Sequence, residues 1–150
     1  MKLRDLAPLK GKLIKRGCIF RMTFYPSDGV TPKNPGDISR DKYFSILGVS
    51  TNKILVGSFL INTEINQSLY KLISPYQLRL KATDYDFLGG KDRYLDCFQL
   101  RKLEYPRILE EAQYVGELLE KDIEWAEHLA NESRINSDDD LKEFGIFHRT

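Results

Sequence analysis

The sequence predicts a mainly β protein, a small antiparallel β-barrel followed and capped by a C-terminal helical part. Two observations predict it. Five or six short apolar segments, several of them alternating, are separated by turn residues between positions 17 and 116. From residue 117 onward the apolar period becomes helical. Strands this short tend to close on themselves, because open sheet edges invite pairing with other chains. At 150 residues the length fits one domain: a basic arm over 1–16, the barrel over 17–116 and a helical part over 117–150.

Each element has a local reason. Residues 17–25 alternate as a strand, with Cys18, Phe20, Met22 and Phe24 on one side. Residues 26–41 hold three prolines and two glycines and read as a long loop, a kind of segment that often carries function. Strands follow over 43–49 and 54–61, joined by the turn residues Ser50, Thr51 and Asn52. Gly57 inside the second of these suggests a bulge or a close approach of another segment. A short strand is expected at Leu69 to Ile73. The clearest alternation is at 76–82, with Tyr76, Leu78, Leu80 and Ala82 facing one way. One further strand is expected over 94–103 and a short last one over 112–115. Gly116 is expected to end the strand pattern. A helix over 117–132 would bury Leu119, Ile123, Ala126 and Ala130, with Leu118, Trp125 and Leu129 beside them. Its Glu117, Glu120, Glu124 and Glu127 would face water. Ser137 or Asp138 would cap a second short helix.

The net charge of +1 hides a division. Residues 1–109 carry 19 basic and 10 acidic side chains, and residues 110–150 carry 4 and 12. A basic front can draw a polyanion to one face; acidic residues that simply solvate a helix would leave the same pattern. No apolar run approaches a membrane span, so no membrane partner is expected. The N-terminus has no apolar signal core, which predicts a cytoplasmic protein in which Cys18 and Cys97 are free buried thiols.

Most catalytic constellations are missing. There is no phosphate-binding glycine loop ending in lysine and no histidine pair at metal spacing, so no metal or other cofactor is expected. His128 reads as a helix-surface residue and His148 as a tail residue. The strongest remaining cluster joins cations to a hydroxyl. Arg40 and Lys42 close the long loop, and Thr63 ends the third strand. If the second and third strands form a hairpin, Lys42 and Thr63 share one end of the sheet, where they can hold a phosphate and stabilise charge building on it. A solubilising lysine and a strand-ending threonine would show the same spacing.

These residues also carry a resemblance. Gly17-Cys18-Ile19-Phe20, Lys42-Tyr43-Phe44-Ser45-Ile46-Leu47, Phe59-Leu60-Ile61-Asn62-Thr63 and Tyr94-Leu95-Asp96-Cys97 stand in the order of similar stretches in another group of proteins. Leu100, Leu103, Arg107-Ile108 and Tyr114-Val115-Gly116-Glu117-Leu118 continue the agreement. The chain resembles the MazF/PemK-like toxins of toxin–antitoxin modules over roughly residues 17 to 133. The resemblance implies an SH3-like barrel with a C-terminal helix, a homodimer and a cognate antitoxin partner. It implies metal-independent cleavage of single-stranded RNA that leaves a 2′,3′-cyclic phosphate. Lys42 would take the place of the strand-entry arginine that steadies the phosphorane, and Thr63 that of the phosphate-binding hydroxyl residue. Lys42-Tyr43 replaces the family's Arg-Pro, and a lysine lacks the bidentate fork of arginine, so Arg40 is a further catalytic candidate. The general acid and base would come from Asp, Glu, Lys or Tyr. Tyr25, Tyr43, Arg79 and Lys81 are the expected RNA-binding residues, through base stacking and charge. The alternative is a non-catalytic SH3-like module that binds a protein or peptide.

Overall fold

The computed structural model describes residues 10–149; the first part of the basic arm lies outside these residues. The elements run α1 (Lys10–Leu13), β1 (Cys18–Phe24), β2 (Arg40–Val49), β3 (Leu55–Asn62), α2 (Tyr70–Ile73), β4 (Gln77–Leu80), β5 (Arg93–Asp96), β6 (Arg101–Glu104), α3 (Tyr105–Glu111), β7 (Gln113–Glu117), α4 (Glu120–Glu132) and α5 (Asp138–Glu143). Every strand pairing is antiparallel. The sheet order is β4-β5-β3-β2-β1-β7, with β6 also on β3, and the sheet curls into a half-barrel with the C-terminal helix against it.

The curled sheet is buried on both faces. Cys18, Phe20, Met22 and Phe24 of β1 share the first face with Phe44, Ile46, Val56, Leu60 and Leu103, and α3 adds Ile108. Phe44 stacks on Phe20 at 6.1 Å and meets Phe24 edge-on at 5.6 Å. All three rings are fully buried, each worth about 2–3 kcal/mol in transfer from water. The second face carries Ile19, Phe59, Ile61, Leu80 and Leu95, covered by Ile123, Ala126, Leu129 and Ala130 of α4 and by Leu141, Phe144 and Ile146.

Several expectations are corrected. The described residues hold seven strands, not five or six. Residues 67–76 are helical turns, not a strand at Leu69 to Ile73; Asn66 accepts the Ser68 N–H and starts the first turn, and Leu69, Leu72 and Ile73 have the i, i+3, i+4 spacing of a helix. The expected strand over 94–103 is two strands. The Asp96 carboxylate accepts the Phe98 N–H and bends the chain, so β5 pairs with the end of β3 and β6 with its beginning. Cys97 therefore lies in that bend and not in a strand; both cysteines are buried and free. Gly116 does not end the pattern but sits inside β7, where a Cβ would come within 2.7 Å of the Phe87 ring. Leu119 and Trp125 are exposed, and Trp125 stacks on His128 at 4.9 Å. Glu127, expected in water, is 7% exposed because Arg16 and His148 pair with its carboxylate at 2.6 and 2.9 Å.

The suggestion at Gly57 is met in both senses. The β2–β3 register shifts between Ile46 and Gly48, which places Gly48 opposite Gly57. Phe144 fills the space left by both: a Cβ on Gly48 would lie 2.0 Å from the Phe144 carbonyl oxygen, and one on Gly57 2.7 Å from the Phe144 ring.

Candidate functional site

The first face of the sheet is mainly apolar, Ser58 and Arg101 apart, until its pairing reaches Lys42 and Asn62, where it becomes polar. The ladder places Tyr43 opposite Ile61, so Lys42 falls opposite Asn62 and their side chains share a face. The same alternation carries that face to Asp96 and Tyr94 on β5 and to Gln77 and Arg79 on β4. At this end the sheet opens into a cleft of about 630 Å³. Arg40, Lys42, Asn62, Thr63, Gln77, Asp96 and Arg101 line it, with Gly29, Val30 and Thr31 of the long loop on one side and residues 64–69 on the other.

The structure brings Arg40, Lys42 and Thr63 together in this cleft, at the sheet end beside the long loop. Lys42 is 8% exposed, and its ammonium donates to Asn62 Oδ1. Burial pushes the Lys42 amine down to about 8, helped by the charges of Arg40 and Arg101 and opposed by Asp96. Thr63 is exposed at the end of β3. None of Arg40, Lys42 and Arg101 makes an ion pair with another described residue.

Arg101 is the functional candidate that sequence reasoning missed. Its Nε is buried without a hydrogen-bond partner among the described residues, and its Nη1 reaches only the Asp28 carbonyl oxygen at 3.4 Å. Burial lowers the guanidinium's affinity for protons, yet arginine stays charged at any working pH. The available signal was the alternation Gln99, Arg101, Leu103, which could have set Arg101 on one face of a strand. Asp96 and Gln77 were also missed; the alternation at 76–82 sets Gln77 on the polar side with Arg79 and Lys81, whereas nothing local marks Asp96.

The four expected RNA-binding residues do not join the cleft. Tyr25 is exposed beside Arg21, Thr23 and Asp41, at a separate hollow. Tyr43 faces the opposite side of the sheet, half-buried against the second core and flanked by the guanidinium groups of Arg21 and Arg93 at 5.8 and 5.4 Å. Strand alternation forces this, because Tyr43 neighbours Lys42 in sequence and must point away from it. Arg79 shares the cleft's face but lies beyond it, ion-paired with Asp92. Lys81 is exposed past the end of β4.

The long loop is pinned near its start. Asp28 accepts two hydrogen bonds from Arg107 at 2.7 and 3.0 Å, and Arg107 also donates to the Thr23 carbonyl oxygen at 3.1 Å. This clamp holds the segment whose next residues, Gly29 to Thr31, line the cleft. Among the described residues no group of three His, Cys, Asp or Glu side chains is placed to hold a metal ion, and no helix is long and apolar enough to cross a membrane.

No family model matches the sequence, and no curated protein matches it significantly. Solved structures do match. One is a chain of the crystal structure of MazE–MazF (Form-III) from Deinococcus radiodurans, at a TM-score of 0.55 and 11% identity, covering 80% of this chain and 94% of that one. At that identity the likeness speaks for architecture alone: the curled antiparallel half-barrel with its C-terminal helix is a MazF-like fold.

Proposed function

We propose that the cleft binds single-stranded RNA and cleaves it by metal-independent transesterification, as in the toxins that the sequence resembles. The observation that carries this reading is the convergence of Arg40, Lys42 and Arg101 with the Thr63 hydroxyl on one cleft, with none of the cations neutralised by an ion pair. A phosphodiester supplies the missing anion. The ribose 2′-oxygen attacks phosphorus as its proton passes to water, the bond from phosphorus to the 5′-oxygen breaks, and a 2′,3′-cyclic phosphate remains. Arg40 and Arg101 balance the charge on the phosphorane, and Thr63 donates to a non-bridging oxygen. Lys42 has the second role of proton donor to the departing 5′-oxygen, for which an amine titrating at about 8 is suited. Arg79 and Lys81 would meet the strand where it leaves the cleft.

The matched structure is a MazE–MazF complex, and that likeness supports a cognate antitoxin as the protein partner of this chain. A homodimer is carried over from the resemblance alone.

The test is cleavage of single-stranded RNA by purified protein in EDTA, beside Lys42→Ala and Thr63→Ala. The expected result is cyclic-phosphate product from wild type and a rate lower by about 10²–10³ in Lys42→Ala. Binding of uncleavable RNA should weaken with salt at a logarithmic slope of about −2 for three phosphate contacts. RNA bound but uncut means a binding protein. RNA neither bound nor cut rejects the reading in favour of a peptide-binding module.

A further inference from the structure

The cleft is chemically mixed. Beside the cations Arg40, Lys42 and Arg101 it presents Gln77 and Asp96, next to Ile73 and Phe98, and the Asp96 charge reaches both Lys42 and Arg101. Resting on the RNA reading above, we propose that the cross-strand pair Gln77–Asp96 reads a guanine base.

A carboxylate in a cleft that takes a polyanion repels its phosphates. Asp96 therefore fits only where the RNA presents donors, which are the ribose 2′-hydroxyls and the base edges; only a base edge presents two adjacent donors to a pair of acceptors. Its Oδ1 is already used: it accepts from Gln77 Nε2 at 2.8 Å and from the Phe98 N–H at 3.1 Å. Oδ2 has no hydrogen-bond partner among the described residues. The same contact orients the Gln77 amide. Its Nε2 faces the carboxylate and, at 3.4 Å, the Ile73 carbonyl oxygen, so its Oε1 is turned away and is likewise unpartnered among the described residues. The cross-strand pair Gln77–Asp96 thus offers two acceptors and no donor.

Only one common RNA base answers that pattern on its pairing edge. Guanine has adjacent donors at N1 and at the 2-amino group. Adenine and cytosine set their single amino group beside an acceptor, and uracil sets its N–H between two. For these three, an acceptor would face an acceptor. Phe98, tilted against Tyr76 at 5.8 Å, supplies an aromatic wall beside the edge-reading pair. A carboxylate that only braced the bend at Phe98, or only moderated the charges of Lys42 and Arg101, would not distinguish one base from another.

The experiment measures fluorescence anisotropy of labelled 2′-deoxy-substituted, uncleavable oligouridine carrying one central guanine, inosine or adenine. Wild type, Asp96→Asn and Gln77→Ala are compared, with thermal midpoints recorded to confirm folding. Wild type should prefer guanine over adenine by about tenfold or more. It should prefer guanine over inosine, which lacks the 2-amino group, by about fivefold to tenfold. In Asp96→Asn both ratios should fall to within about twofold while the salt dependence stays that of wild type; Gln77→Ala gives the second reading if Asp96→Asn does not fold. Wild-type binding indifferent to the base, or a guanine preference that both variants keep, overturns the inference while leaving the RNA reading standing. Failure of wild type to bind any of the three oligonucleotides removes that reading, and this inference with it.

Discussion

Lys42 and Asn62 face each other across the β2–β3 ladder, and the Lys42 ammonium is held by the Asn62 side-chain oxygen in an otherwise buried position. Folding therefore takes a charge out of water for one neutral hydrogen bond. Its displacement from 10.5 to about 8 corresponds to about 3 kcal/mol of disfavoured charge at about 1.36 kcal/mol per pH unit. The folded state binds fewer protons than the unfolded state between those two values, so stability rises with pH across that window. Lys42→Met should raise the unfolding free energy at pH 7, read from urea titrations, by about 1–3 kcal/mol once packing is included, and flatten the rise between about pH 8 and 10.5. A variant less stable than wild type at pH 7 would contradict this.

The same titration sets the rate profile. With Lys42 as the proton donor, cleavage should fall as pH increases through about 8, where the ammonium is lost. Lys42→Arg should keep part of the phosphate affinity and lose that limb, because a guanidinium does not titrate there. A wild-type profile flat from pH 7 to 9.5 would remove the donor role from Lys42.

Arg107 acts on the cleft at a distance, through Asp28. Arg107→Ala should cost about 2 kcal/mol, the worth of charge-assisted hydrogen bonds left half-made. It should also weaken RNA binding, since Gly29 to Thr31 follow Asp28 into the cleft wall. Arg107 holds the Asp28 carboxyl below its ordinary range. This contribution is complete above about pH 4 and is lost as pH falls through the folded-state value. Wild-type and Arg107→Ala stabilities should therefore converge on acidification, as denaturant titrations at pH 7 and pH 3 would record.

The two glycines beneath Phe144 separate in a double-mutant cycle. Gly57→Ala meets the Phe144 ring and Gly48→Ala its carbonyl oxygen, and each should cost about 1–3 kcal/mol or more by overpacking. Phe144→Ala should recover much of the loss in Gly57→Ala, because it removes the ring. It should recover little in Gly48→Ala, because the carbonyl remains. Thermal or urea unfolding of the three single and two double variants measures both couplings.

How much was legible in the sequence follows from how local each determinant is. β1 announces itself by alternation and β2 and β3 by short apolar runs bounded by turn residues, and the hairpin between Val49 and Leu55 is encoded by Ser50 and Asn52, whose side chains accept the Leu55 and Ile54 N–H groups. The meeting of Lys42 with Thr63 follows from that hairpin alone. The bend after Asp96 was hidden because the stretch from Tyr94 to Leu103 holds neither glycine nor proline to mark it. The burial of Glu127 was hidden because its partners, Arg16 and His148, come from remote parts of the chain. Arg101, Asp96 and Gln77 reach the cleft only through the pairing of β6, β5 and β4, a register that no short stretch encodes. Tyr43 was misplaced for a simpler reason: a neighbour in sequence is an opposite in a strand.

The seating of Phe144 on Gly48 and Gly57 has a consequence for the order of synthesis. While residues 17–104 emerge from the ribosome they can form β1 to β6, but the second face of that sheet has no cover. Phe144, and the tail that Asn131 holds through the Ile146 carbonyl oxygen and the His148 N–H, complete it much later. A growing chain therefore carries its cations on an unfinished sheet, whose second face is covered in full only after some forty further residues have been translated. Maturation of the site is thereby tied to translation of the segment from Asn131 to His148.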